Sequence, residues 1–210
     1  MLGFYNYTVI LTYLGLLSGC TGIFLASEGR VGAAVVCLML SGFFDLFDGK
    51  VASTRKRTDD EKKFGIQIDS LSDLVCFGVL PAMIGIALGM QNYYWYPLLA
   101  LYVLSALIRL AYFNVMEEQR QKTTSETRKS YNGMPVTTVA ILIPVVYFVC
   151  RLFADPVQFM WIYAVSLLVF GLAFLIKSLK VKKIKGKQVY FFAILSIVAI
   201  LAGVLVLCLL

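Results

Sequence analysis

Histidine is absent from the 210 residues. That removes every histidine triad, every imidazole general base and every His-ligated metal site from the chemistry available to the chain. Charge is scarce as well: Asp, Glu, Lys and Arg make up 15% of the residues beside 60% hydrophobic ones, and the mean hydropathy is +0.83. A soluble domain carries about 25% charged residues, so the composition excludes one of this size and leaves an integral membrane protein. The five cysteines, Cys20, Cys37, Cys76, Cys150 and Cys208, all fall within apolar stretches and form no CxxC pair. They read as small packing residues rather than as a redox or thiolate centre. The opening residues, MLGFYNYTVI, contain no positive n-region, so the apolar run that follows reads as a retained span rather than a cleaved leader. There is no low-complexity tract, no clear repeat and no stretch that reads as a soluble domain.

What is present is a series of apolar runs, each long enough to cross a bilayer at roughly 20 residues per span. They lie at about 7–27, 31–48, 69–89, 93–115, 135–154, 157–176 and 189–209. The expected architecture is a single all-α membrane domain over 1–210, a bundle of about seven transmembrane helices. Of the 19 Lys and Arg, 16 fall in three linkers: six in 50–63, four in 120–129 and six in 177–187. Arg30 and Arg151 are the only basic residues of the alternate linkers. The positive-inside rule therefore predicts a cytosolic N-terminus and an external C-terminus. The net charge of +7 follows from this topology and from attraction to anionic lipid, the segment KSLKVKKIKGK being a topogenic linker. Positive charge held so close to the membrane does not make a nucleic-acid surface.

Gly15-x3-Gly19 and Gly85-x3-Gly89 have the spacing that lets helices approach closely, in the bundle or at a dimer face. Tyr93, Tyr94, Trp95 and Tyr96 are expected to form an aromatic belt at the outer interface. Asp59, Asp60 and Glu61 read as solvated helix-end residues or partners of nearby lysines.

Four further acidic residues are harder to account for. Asp45 and Asp48 fall at the cytosolic end of the second span, and Asp69 and Asp73 at the cytosolic start of the third. All four share one depth. Spacings of three and four residues put each pair on one helical face. Gly49 and Ala52 extend the first stripe, and Gly65 stands one turn before Asp69, so small side chains leave room for a ligand. Four close carboxylates cannot all stay ionised without compensating positive charge. With oxygen donors only, the cation expected is Mg²⁺, Mn²⁺ or Ca²⁺ rather than Zn²⁺, and four aspartates offer enough ligands for two ions.

The pattern D45-x2-D48-G49-x2-A52 followed by G65-x3-D69-x3-D73 resembles the signature of the CDP-alcohol phosphotransferases, integral membrane enzymes of phospholipid synthesis. The segment FGIQIDSLSDLVCFGVLPA (64–82), with IRLAYFNV (108–115) and YNGMPV (131–136), looks like the branch of that family that uses serine as acceptor. The resemblance covers roughly residues 5 to 175. It implies a six-helix core followed by a C-terminal span, two divalent cations, Mg²⁺ or Mn²⁺, and CDP-diacylglycerol and L-serine as substrates. It further implies Asp45, Asp48 and Asp69 as metal ligands, Asp73 as both ligand and general base, and Gly49, Ala52 and Gly65 as the lining of the cytidine nucleotide site. Homodimers are common in the family, and a bacterial cytoplasmic membrane with the site facing the cytosol is the expected setting.

The chain departs from the family pattern at Ser53, where an arginine follows the alanine in other members. Arg55, closer to Gly65, is the candidate to replace that guanidinium on a substrate phosphate. Arg109 lies inside the fourth span near its cytosolic end. It either snorkels to the interface or binds the serine carboxylate or a lipid phosphate, which a guanidinium suits bidentately. Two rival readings stand beside the serine transferase. One is the same chemistry on glycerol phosphate, inositol phosphate or choline. The other is a cation transporter, against which the clustering of the aspartates at one depth argues.

Overall fold

The computed structural model describes residues 3, 7–52, 54–55, 58–123, 130–177 and 180–182. The expected seventh span (189–209), Ser53 and Cys208 lie outside the described residues, as does most of the basic segment 177–187. Among the described residues six helices are long and apolar enough to cross a membrane: Ile10–Ser27, Val31–Ala52, Asp59–Ala87, Tyr93–Gln119, Val136–Phe153 and Pro156–Leu175. The protein is thus a helical integral membrane bundle, and among the described residues one ribbon departs from this, in which β1 (Ser130–Asn132) pairs antiparallel with β2 (Lys180–Lys182).

The helices are α1 (Ile10–Ser27), α2 (Val31–Ala52), α3 (Asp59–Asp73), α4 (Leu80–Ala87), α5 (Tyr96–Thr123), α6 (Val139–Phe153) and α7 (Pro156–Leu175). A π-helical turn, Leu74–Val79, joins α3 to α4, so the two form one span. α1 and α2 make a tight antiparallel hairpin. Gly29 closes it at φ +76°, with its N–H on the Ala26 carbonyl and the Arg30 N–H on that of Leu25, a glycine stop that only a residue without Cβ makes cheaply. Gly89 ends α4 in the same way at φ +114°. It therefore closes a helix instead of extending a packing stripe from Gly85.

Gly15 and Gly19 do serve as contact points. A Cβ on Gly19 would stand 2.5 Å from Cys76 Sγ, and one on Gly15 would stand 3.6 Å from Phe44 Cβ. Both glycines face neighbouring helices of the same chain. The core between the spans is built from Leu38, Phe77, Leu80, Ile84, Tyr102, Ile143, Tyr163 and Leu167. Leu17, Phe24, Leu152, Phe153 and Val165 point outward, as expected where the solvent is lipid. Cys76 and Cys150 are buried, Cys20 and Cys37 partly so, and all four are free thiols, in keeping with a packing role.

Two expectations need adjusting. The third span begins at Asp59, well before Asp69. Thr58 Oγ1 accepts the Glu61 N–H at 3.2 Å, and Glu61 Oε2 accepts the Thr58 N–H at 2.9 Å. This reciprocal cap starts a helix outside the apolar stretch, and Asp59, Asp60 and Glu61 in its first turn suit the positive end of the helix dipole. Asp69 and Asp73 consequently sit deep in a continuous helix. The aromatic belt also divides. Tyr93, Tyr94 and Tyr96 are exposed, but Trp95 is buried with its ring 4.9 Å from that of Trp161.

Candidate active site

α2 and α3 bring the four aspartates together. Carboxylate oxygens of Asp45, Asp48 and Asp69 all lie within 4.8 Å of one another. Asp73, one turn beyond Asp69, lines the same cavity, with Thr12, Ser41, Ser72 and Phe77 around it. Each pair shares a helical face for the reason already given, and the two faces meet because α1 holds both helices. Thr12 Oγ1 donates to Asp48 Oδ2 at 3.3 Å, and Ser72 Oγ donates to the Thr12 carbonyl at 3.4 Å. Ser41 Oγ donates to the Gly15 carbonyl at 2.9 Å. The hydroxyls of Ser41 and Ser72 thus bond to backbone and tie the helices together, while Thr12 steadies one carboxylate.

The donor set fits a hard divalent cation. Every converging ligand is a carboxylate oxygen, with neither imidazole nor thiolate among them. Oxygens bound to Mg²⁺ at about 2.1 Å stand about 3 to 4.2 Å apart. The 4.8 Å limit on the trio lies within about 1 Å of that spacing. Neither described ion pair, Arg55–Glu61 or Lys62–Asp59, involves the four aspartates.

Beside the cluster opens a cleft of about 150 Å³ lined by Val9, Thr12, Asp48, Gly49, Ala52, Gly65, Ile66 and Asp69. All three small residues picked out by the spacing therefore line one cleft with two of the aspartates. A Cβ added at Gly49 would meet nothing within 4 Å, so the glycine faces open space. A cleft of this volume leaves room for part of a polar ligand to approach the backbone.

The two arginines lie elsewhere. Arg55 is exposed, with Nη2 3.7 Å from Glu61 Oε1, and lines neither cavity. Arg109 is only 7% exposed and so does not snorkel. Its Nε donates to the Met134 carbonyl at 3.1 Å. Gly133, at φ +91°, makes space for it: a Cβ there would stand 3.1 Å from Arg109 Cζ. Two of the segments singled out in the sequence, 108–115 and 131–136, are thus in contact through Arg109. Asn114 Oδ1 accepts from Ser70 Oγ at 2.9 Å, which links the first of them to the residue after Asp69. Thr12 carries no periodic signal in the sequence, being one of several hydroxyl residues scattered along α1.

Fold and site together define an integral membrane protein with a carboxylate cluster, able to hold a cation, placed within its spans. The chain belongs to the CDP-alcohol phosphatidyltransferase family, which it matches over residues 5–176. It is 39% identical over 125 residues to a CDP-diacylglycerol–serine O-phosphatidyltransferase of Saccharomyces cerevisiae, a match covering 58% of this chain and 44% of that protein. It is 33% identical over 139 residues to an archaetidylserine synthase of Methanothermobacter thermautotrophicus, covering 66% and 56% respectively. With a CDP-diacylglycerol–serine O-phosphatidyltransferase of Helicobacter pylori it shares 31% identity over 141 residues, again 66% and 56%. The chain spans about half the length of these relatives.

Proposed function

We propose that this protein transfers the phosphatidyl group of CDP-diacylglycerol to the hydroxyl of L-serine, giving phosphatidylserine and CMP. The observation that carries the reading is the convergence of Asp45, Asp48 and Asp69 within 4.8 Å beside a cleft lined by Gly49, Ala52 and Gly65. Family membership supports the CDP-linked donor, and the shared reference to serine in the relatives' names supports the acceptor.

Asp45, Asp48 and Asp69 would hold two divalent cations, Mg²⁺ or Mn²⁺, and Asp73 would serve both as a ligand and as the base facing the acceptor. When bound, the ions supply charge neutralisation for the phosphate oxygens and for the departing CMP. The cleft residues leave the cytidine end close to the backbone, and the diacylglycerol tails remain in the bilayer. Asp73 takes the proton of the serine hydroxyl as that oxygen attacks phosphorus. A serine O–P bond forms, the P–O bond to CMP breaks, and CMP leaves with the bonding electron pair.

Arg109 binds the serine carboxylate or a lipid phosphate, and Arg55 approaches a substrate phosphate in place of the arginine that the family has where this chain has Ser53. The exposed Arg55–Glu61 pair is worth little in water, so a phosphate competes for that guanidinium. The basic linkers support a site at the cytosolic face, a bacterial cytoplasmic membrane is the setting proposed with it, and the family resemblance supports a homodimer.

The reading is tested with purified protein in liposomes containing CDP-diacylglycerol and Mn²⁺, following CMP release with L-serine, glycerol 3-phosphate, inositol phosphate or choline as acceptor. Release that requires serine supports it. Release with a different acceptor alone keeps the chemistry and refutes the choice of serine.

A further inference from the structure

The turn Leu74–Val79 lies directly after Asp73 and departs from α-helical hydrogen bonding: the Leu80 N–H reaches back five residues to the Val75 carbonyl. Such a turn inserts roughly one residue, about 100° of rotation, between the parts of the span on either side. The effect is visible along α1. Ser72 donates to the Thr12 carbonyl, Cys76 Sγ is the nearest neighbour of the Gly19 position, and Leu80 is among the nearest neighbours of Gly22. In an unbroken α-helix, residues four apart drift by about 40° per step. The wider turn takes up that drift, so α3 directs Asp69 and Asp73 into the site while Leu80 and Ile84 of α4 stay buried in the core.

The turn carries a specific weakness. Pro81 stands four residues after Phe77 and has no N–H, so the Phe77 carbonyl loses its ordinary helical donor. The Tyr102 hydroxyl, on α5 and buried, donates to that carbonyl at 2.8 Å. Phe77 itself lines the aspartate cavity. We propose that Tyr102 is a positioning residue, its hydroxyl locking the π-turn that aims Asp69 and Asp73 at Asp45 and Asp48. This rests on the metal-holding reading of the carboxylates given above.

Tyr163 supplies an internal control. Its hydroxyl, equally buried, donates to the Pro81 carbonyl at 2.9 Å. Pro81 lies in the first turn of α4, after the π-turn, so losing that bond costs packing stability without freeing the turn.

The test measures Mn²⁺ binding to the purified protein in detergent through the electron paramagnetic resonance signal of free Mn²⁺, with no substrate present. Tyr102→Phe is expected to weaken Mn²⁺ binding about tenfold, the effect of losing one buried hydrogen bond. Pro81→Ala restores an N–H facing the Phe77 carbonyl, and the double variant Tyr102→Phe/Pro81→Ala is expected to return to within about twofold of wild type on the same reasoning. Tyr163→Phe is expected to melt at lower temperature but to bind Mn²⁺ as wild type does. Unchanged affinity in Tyr102→Phe overturns the proposal, as does equal weakening in Tyr163→Phe. A Tyr102→Phe protein that fails to fold, and whose folding and Mn²⁺ affinity the double variant does not recover, overturns it too. Wild-type protein that binds no Mn²⁺ removes the metal-holding reading itself and this proposal with it.

Discussion

Replacing Gly19 by alanine tests whether the close approach of α1 to the π-turn holds the site together. The new Cβ would lie 2.5 Å from Cys76 Sγ, 3.3 Å from Cys76 Cα and 3.4 Å from its Cβ. Ordinary carbon contacts start near 3.5 Å, so the sulfur must retreat by about 1 Å and the backbone by a few tenths of an ångström. Overpacking of this kind costs about 1–3 kcal/mol. For a chain of this length that corresponds to a fall in melting temperature of about 2–12 °C, at about 2–4 °C per kcal/mol. Cys76 follows Asp73 by three positions, and a displacement near 1 Å at reacting groups costs up to about 100-fold in rate. Thermal scanning in detergent, run beside CMP release, reads both effects. Cys76→Ala in the same chain removes the closest contact and should recover most of each. A Gly19→Ala protein with wild-type melting temperature and turnover would mean that α1 does not bear on the turn.

Two further outcomes concern the arginines. Arg109→Lys keeps the charge but loses the planar fork, so the serine KM should rise by about tenfold with little change in the CDP-diacylglycerol KM. A fall in melting temperature with both KM values unchanged would make Arg109 purely a brace for the 133–134 loop. Arg55→Ala should raise the CDP-diacylglycerol KM by about ten- to a hundredfold, the range for a lost charge-assisted hydrogen bond, and steady-state kinetics with unchanged KM would remove Arg55 from phosphate binding.

The carboxylate cluster was legible in the sequence because its signal is geometric. Spacings of three and four residues force Asp45 with Asp48, and Asp69 with Asp73, onto shared faces, and charge in an apolar chain stands out. The small residues were legible for the same reason, and Gly49, Ala52 and Gly65 do line one cleft. The start of α3 was misplaced because hydropathy locates the hydrocarbon layer rather than the helix. Thr58-x-x-Glu61, a capping-box spelling, was the available signal. Trp95 separated from its tyrosine neighbours because Trp161, distant in sequence, covers it, and no local pattern encodes that contact. Thr12 and the Tyr102–Phe77 bond depend likewise on which helices become neighbours. Pro81 gave only a hint, marking a carbonyl four residues earlier in need of a donor without naming which helix supplies it.

Activation of serine at the aspartate cluster is tested by the formation of phosphatidylserine and CMP from CDP-diacylglycerol and serine, comparing wild type with Asp73→Asn at saturating Mn²⁺ and with wild type in chelator. Wild type should give equal amounts of both products, none in chelator, and Asp73→Asn should lose about 10²- to 10⁴-fold, the range for removing a general base. Undiminished turnover in Asp73→Asn, or turnover that persists in chelator, would contradict activation at the cluster.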